Sequence, residues 1–123
     1  MEISELGRVC EAGEEIVRQG ELGDCMYVIQ EGAVEVLVER DGRQVPIAVR
    51  REGEFFGEMA LFEHEARSAT VRALGRTRVL TVDKRNLLRR IHQDPALGMR
   101  IVQAMSHRIR ELSQELARLR ETT

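Results

Sequence analysis

The sequence predicts a mainly β domain with C-terminal helices: an antiparallel β-roll of jelly-roll type, then a short helix and a long one. Three observations carry that prediction. Up to Val82 the chain is cut by Gly7, Gly13, Gly20, Gly23, Gly32, Gly42, Gly53, Gly57 and Gly75, and the short runs between them are rich in β-branched residues, the pattern of strands joined by tight turns. After Asp94-Pro95 there is one glycine, Gly98, and no further proline. In that last stretch Val102, Met105, Ile109, Leu112, Leu116 and Leu119 are spaced 3, 4, 3, 4, 3, an a/d heptad seam.

Each element follows from local chemistry. Tyr27-Val28-Ile29 and Val34-Glu35-Val36-Leu37-Val38 are strands by composition, with Glu31-Gly32 turning between them. Asp41-Gly42 is a two-residue hairpin signal, because both residues tolerate positive φ; it joins residues 33–40 to residues 44–50. Residues 68–73 and 78–82 add two more strands, and seven or eight in all suit an antiparallel sandwich or barrel. Asp83 is placed to N-cap a helix ending near His92. Asp94 and Pro95 then open the final helix, with proline at the first position, where its missing N–H costs nothing. A helix of about 27 residues is about 40 Å long, more than a domain of this size can cover. Its distal half is therefore expected to pair with a second copy along the seam, with Glu115 and Arg120 on the rim. The whole is expected to be one domain over residues 1–123, a β-roll at about 8–82 and a helical segment at about 83–121.

Composition narrows the function. The 123 residues carry 19 Lys or Arg and 21 Asp or Glu, with 42% hydrophobic and 33% charged, a folded rather than a disordered composition. No apolar run approaches the roughly 20 residues that span a bilayer, and Met1-Glu2-Ile3-Ser4-Glu5 is acidic where a signal peptide is basic. A cytoplasmic protein without membrane contact is expected. Tyr27, Phe55, Phe56 and Phe62 are the aromatic residues, and there is no Trp, which argues against a stacking platform for single strands. Tyr27, Phe55 and Phe56 are assigned to the core. Residues 84–123 hold nine bases against four acids, but the bases alternate with apolar residues at helical spacing. That reads as a solvated helix face, not a nucleic-acid contact. Cys10 and Cys25 are too few and too far apart for a metal quartet or a redox pair, and are read as buried thiols. His64, His92 and His107 lack ligand spacing, so no metal or cofactor is expected.

One stretch carries chemistry. Phe56-Gly57-Glu58-Met59-Ala60-Leu61 is followed, five residues on, by Arg67-Ser68-Ala69-Thr70-Val71. Gly57 permits close backbone approach and opens a helical turn at residues 58–62, whose first N–H groups lack intrahelical partners and can donate to an anion. Arg67 offers a guanidinium suited to bidentate phosphate binding, and Ser68 a hydroxyl beside it. Glu58 makes poor sense as an anion ligand. It makes good sense as an acceptor for a sugar hydroxyl. Such a set suits a monoanionic phosphate carrying a free ribose hydroxyl.

At these residues the chain resembles the cyclic-nucleotide-binding domain family of catabolite activators, cyclic-nucleotide-dependent kinases and gated channels. The family cassette F-G-E-x-A-L, a variable loop, then R-[AST]-A-[ST]-V is met throughout. Gly13-Glu14, Ile16, Gln19-Gly20, Gly23-Asp24, Met26-Tyr27-Val28-Ile29, Gly32 and Val34-Glu35-Val36 follow its framework. The resemblance implies that Arg67 pairs the exocyclic phosphate oxygens and Glu58 accepts from the ribose 2′-OH. Gly57, Ala60 and Ser68 would add amide or hydroxyl contacts, with Met59, Leu61 and Ala69 completing the cassette. The base would rest against Ile47 to Val49 and meet the final helix at Leu112-Ser113, where catabolite activators carry Thr-Ser; Ser113 can hydrogen-bond a base and Leu112 cannot. Ser after the cassette Arg favours cyclic AMP over cyclic GMP. The implied function is a non-enzymatic sensor in which ligand shifts the final helix between pre-existing states. The alternatives are the effector half of a catabolite-activator-type regulator without its helix-turn-helix, or a ligand-free dimerisation domain of the same fold. No nucleophile–base pair or metal cluster speaks for an enzyme.

Overall fold

Alternating side chains, one set branched and apolar and the other polar, make two sheets that bury one face each against the other. The computed structural model describes residues 6–63 and 65–121, so the acidic start and His64 lie outside the described residues. In chain order the elements are β1 (Arg8–Cys10), β2 (Glu15–Val17), β3 (Cys25–Glu31), β4 (Ala33–Arg40), β5 (Arg43–Arg51), β6 (Phe55–Phe56), α1 (Glu58–Glu63), β7 (Thr70–Ala73), β8 (Thr77–Asp83), α2 (Lys84–Gln93) and α3 (Pro95–Glu121). Two four-stranded sheets result, ordered β1-β8-β3-β6 and β2-β7-β4-β5, and neighbouring strands pair antiparallel among the described residues. This is the expected β-roll followed by helices.

The core lies between the sheets. Cys10, Ile29, Phe56 and Val79 from one sheet meet Val17, Val34, Val71 and Ala73 from the other, and burying such a side chain fully stabilises by about 1.5–3 kcal/mol. Phe55-Phe56 forms a two-residue strand beside β3 that the composition did not announce. Phe56 stacks on Tyr27 with ring centroids 5.1 Å apart. At the β4–β5 hairpin Asp41 takes φ 52° and Gly42 φ 77°, as the Asp-Gly signal requires. β5 is an edge strand, which is where Pro46, without an N–H, disrupts no ladder.

The register of β5 is irregular beside the segment expected to meet the base. Val36 pairs with Ala48, but Leu37 pairs with Pro46, so Ile47 is one extra residue in β5, a β-bulge. Glu35 stands opposite both Val49 and Arg72. Val49 therefore shares the face of the Glu35–Arg72 ion pair (3.5 Å) and is 40% exposed. Val36, which packs on the core, points to the other face with Ala48. In this segment Ile47 is exposed as well, and Ala48 between the two is half-buried. One correction is that the strand after the cassette begins at Thr70, not at residue 68.

The chain divides into two compact units between Leu87 and Leu88. In the first, Asp83 accepts the Asn86 N–H at 2.8 Å, the N-cap expected for α2. In the second, the Asp94 carboxylate pairs with Arg100 at 3.1 Å, and Gly98 leaves space for Ile91, whose Cγ2 a Cβ would meet at 3.4 Å. Leu97 and Ile101 of α3 are buried, whereas Val102, Ile109, Leu112, Leu116 and Leu119 are 54–69% exposed. Met105 is half-buried. Glu115 pairs with Arg118 one turn on in its own helix. None of the described helices is long and apolar enough to cross a membrane.

Candidate functional site

The site is built around Arg67. Its backbone is clamped by the loop after β2: the Arg67 N–H donates to the Glu21 carbonyl and the Gly20 N–H donates to the Arg67 carbonyl, both at 2.8 Å. Next to these bonds Leu22 and Ala66 form an isolated bridge, and the Gln19 N–H donates to Thr70 Oγ1 at 3.0 Å. With the backbone held on both sides, the side chain turns inward and is only 9% exposed.

Among the described residues, a carbonyl, a thiol and a ring meet the guanidinium. Nη1 donates to the Gly57 carbonyl at 3.0 Å. Nη2 donates to Cys25 Sγ at 3.7 Å, within range for sulfur. The ring of Tyr27 faces Cζ with its centroid 5.9 Å away, a cation–π distance. A carbonyl, a thiol and a ring face carry no full negative charge, so these partners orient the cation without neutralising it. Burying a charge in that condition is costly. A cation so placed can receive an anion.

Two glycines make the slot. Gly57 has φ +82°, the left-handed region, and a Cβ there would stand 2.7 Å from Arg67 Nη1. At Gly23 the requirement is space alone, since a Cβ would stand 2.3 Å from Arg67 Nε and 2.4 Å from Cζ. Gly57 leads directly into α1, so the first amides of that turn lie in the chain immediately after the carbonyl that Arg67 holds. Glu58 opens α1 and is half-buried.

The remaining expected residues divide. Ala60 and Leu61 send their side chains into the core, which leaves their backbone for any contact. Met59 and Ser68 are exposed, with Ser68 Oγ 4.0 Å from Met59 Sδ, and Ala69 is half-buried. Leu112 and Ser113 lie in the second unit, exposed on α3.

Sequence reasoning missed Cys25, Gly23 and the second role of Tyr27. Cys10 is fully buried as expected, and burial pushes its thiol above the usual range. Cys25 is only half-buried and bonds the cation. Tyr27 is a ring platform as well as a core residue; burial, and then a hydrogen bond with the Cys25 side chain, push its hydroxyl above the ordinary tyrosine value. The available signal was strand alternation, which puts residues 25 and 27 on one face. Among the described residues no cluster of three or more His, Cys, Asp or Glu is placed to hold a metal ion.

Comparison with known proteins agrees with this chemistry. The family model for the cyclic nucleotide-binding domain matches residues 8–94. A putative potassium channel protein of Rhodopseudomonas palustris is 39% identical over 115 residues, 91% of this chain and 27% of that protein. The cAMP-dependent protein kinase regulatory subunit of Mucor circinelloides is 40% identical over 79 residues, 64% of this chain and 18% of that one. The crystal structure of the Thermus thermophilus catabolite activator protein superposes with a TM-score of 0.80 at 30% identity, covering 91% of this chain and 53% of that one. The chain thus spans between about a fifth and a half of the length of these relatives.

Proposed function

The chain belongs to the cyclic nucleotide-binding domain family, and from that premise we propose that it is a non-enzymatic sensor that takes a cyclic nucleotide against Arg67. The observation that carries this is the buried guanidinium, 9% exposed and held by groups without full charge. A cyclic phosphate brings a single negative charge to it, and its two exocyclic oxygens match the fork of the guanidinium. Glu58, next to Gly57, accepts from the ribose hydroxyl. The opening amides of α1 complete the phosphate contacts. The base rests against the Ile47 to Val49 segment of the roll, in which Ala48 is half-buried.

Ser68 after the arginine favours cyclic AMP over cyclic GMP. The relatives that carry cAMP in their names support the same choice. Occupancy is signalled by movement of the C-terminal helix, with the nucleotide shifting the equilibrium by its differential affinity for the two states. The exposed seam of α3 joins two copies, and α2 and α3 serve with the roll as one functional domain. The protein works in the cytoplasm without contacting nucleic acid through this chain.

Calorimetric titration with cyclic AMP and cyclic GMP tests the reading. The wild-type chain binds both, cyclic AMP more tightly, and Arg67→Ala loses about 2–5 kcal/mol, the usual cost of truncating one partner of a buried charge pair. Binding of neither nucleotide, or equal affinity in the variant, overturns it; the first result would leave a ligand-independent dimerisation domain.

A further inference from the structure

We infer that Cys25 is a positioning residue for Arg67, holding the guanidinium in its receptive orientation through a thiol that does not compete for its charge. The inference rests on the anion-receptor reading of Arg67. Two bonds fix the two arms of the fork: Nη1 to the Gly57 carbonyl at 3.0 Å and Nη2 to Cys25 Sγ at 3.7 Å. Tyr27 sets the plane from one side, and Gly23 leaves no room for the group to swing on the Nε side. Each Nη carries a second hydrogen, which stays available to an anion.

The identity of the group matters. An arginine side chain is rich in rotamer entropy, part of which an unheld guanidinium loses on capturing an anion. A carboxylate at position 25 would hold it more tightly, but would also neutralise the charge and have to be displaced by phosphate. A thiol is a weak acceptor. It orients without neutralising, so that the ordering is done before the ligand arrives. An apolar side chain of similar size would fill the space and do neither.

The experiment uses cyclic AMP on the full chain, with thermal melts to confirm folding. Cys25→Ala is expected to weaken binding about tenfold, Cys25→Ser to restore it to within about threefold of wild type, and Cys25→Asp to weaken it at least as much as alanine. In an Arg67→Ala background, Cys25→Ala is expected to cost nothing further. Wild-type affinity in Cys25→Ala, or the same loss in the Arg67→Ala background, overturns the inference. A second readout needs no nucleotide: the Arg67 side-chain N–H signals in heteronuclear NMR are expected to be resolved in the unliganded wild type and averaged by exchange in Cys25→Ala. If the wild type binds no cyclic nucleotide, the functional reading falls by itself, and this readout alone decides whether Cys25 orders the cation. Identical spectra refute that role.

Discussion

Arg67 Nη1 donates to the carbonyl of Gly57 at 3.0 Å, ten residues back in the chain, and Gly57 makes this possible by adopting φ +82°. A left-handed backbone costs a residue with a Cβ about 1–2 kcal/mol, and here the Cβ would also stand 2.7 Å from the donor nitrogen. Gly57→Ala is therefore expected to lower the melting temperature by several degrees and to weaken cyclic AMP binding more than tenfold. Calorimetry of the folded variant checks this; unchanged affinity would show that the bond does not set the guanidinium.

Gly23 poses a purer test, because its backbone does not call for glycine. Adding a methyl group places carbon 2.3 Å from Arg67 Nε, against a side chain already held at both arms. Gly23→Ala is expected to push the guanidinium out of its slot, costing at least tenfold in affinity while leaving the far-ultraviolet circular dichroism spectrum unchanged. Gly75, where a Cβ meets nothing within 4 Å, supplies the control: Gly75→Ala is expected to bind as wild type does. Equal effects at the two positions would refute the steric account.

Ile109 and Leu116 stand 64% and 54% exposed on α3, two rungs of the heptad seam. Burying each against a second copy contributes about 1.5–3 kcal/mol, and a carboxylate in their place must be desolvated without a partner. Sedimentation velocity is expected to show a dimer for the wild type and a monomer for the Ile109→Asp, Leu116→Asp double variant. A monomeric wild type would leave the seam to another use.

Alkaline pH probes Tyr27 and Cys10. Burial raises both above their ordinary values of 10.0 and 9.0, so the folded chain holds each proton more tightly than the unfolded chain does. Their contribution to stability is complete below those ordinary values and is lost as pH rises through the higher folded ones. Urea midpoints are expected to stay level between pH 7 and about pH 8.5 and to fall above that. Tyr27→Phe, with no proton to lose, is expected to fall less steeply; an equally steep fall would assign the loss elsewhere.

What the chain order reveals and what it hides differ by the range of the interaction. The cassette residues Gly57, Glu58 and Arg67 were legible because their spacing is local and each has a distinct chemistry. The hairpin at Asp41-Gly42 and the start of α3 at Pro95 were legible for the same reason. The parity of β5 was not, since one extra residue at Ile47 reverses which side of the strand faces inward. A bulge leaves no mark in a run that reads Val-Pro-Ile-Ala-Val.

By itself the sequence determined a glycine-punctuated β-roll, a heptad-patterned final helix, and a cation, a carboxylate and a flexible turn in one short segment. Turns, caps and periodicities are settled by neighbours a few residues apart. Only the tertiary structure decided that Cys25, Gly23 and Tyr27, all some forty residues before Arg67, close around its guanidinium. Those contacts depend on the loop after β2 bonding both sides of the Arg67 backbone, a long-range pairing that no local preference encodes.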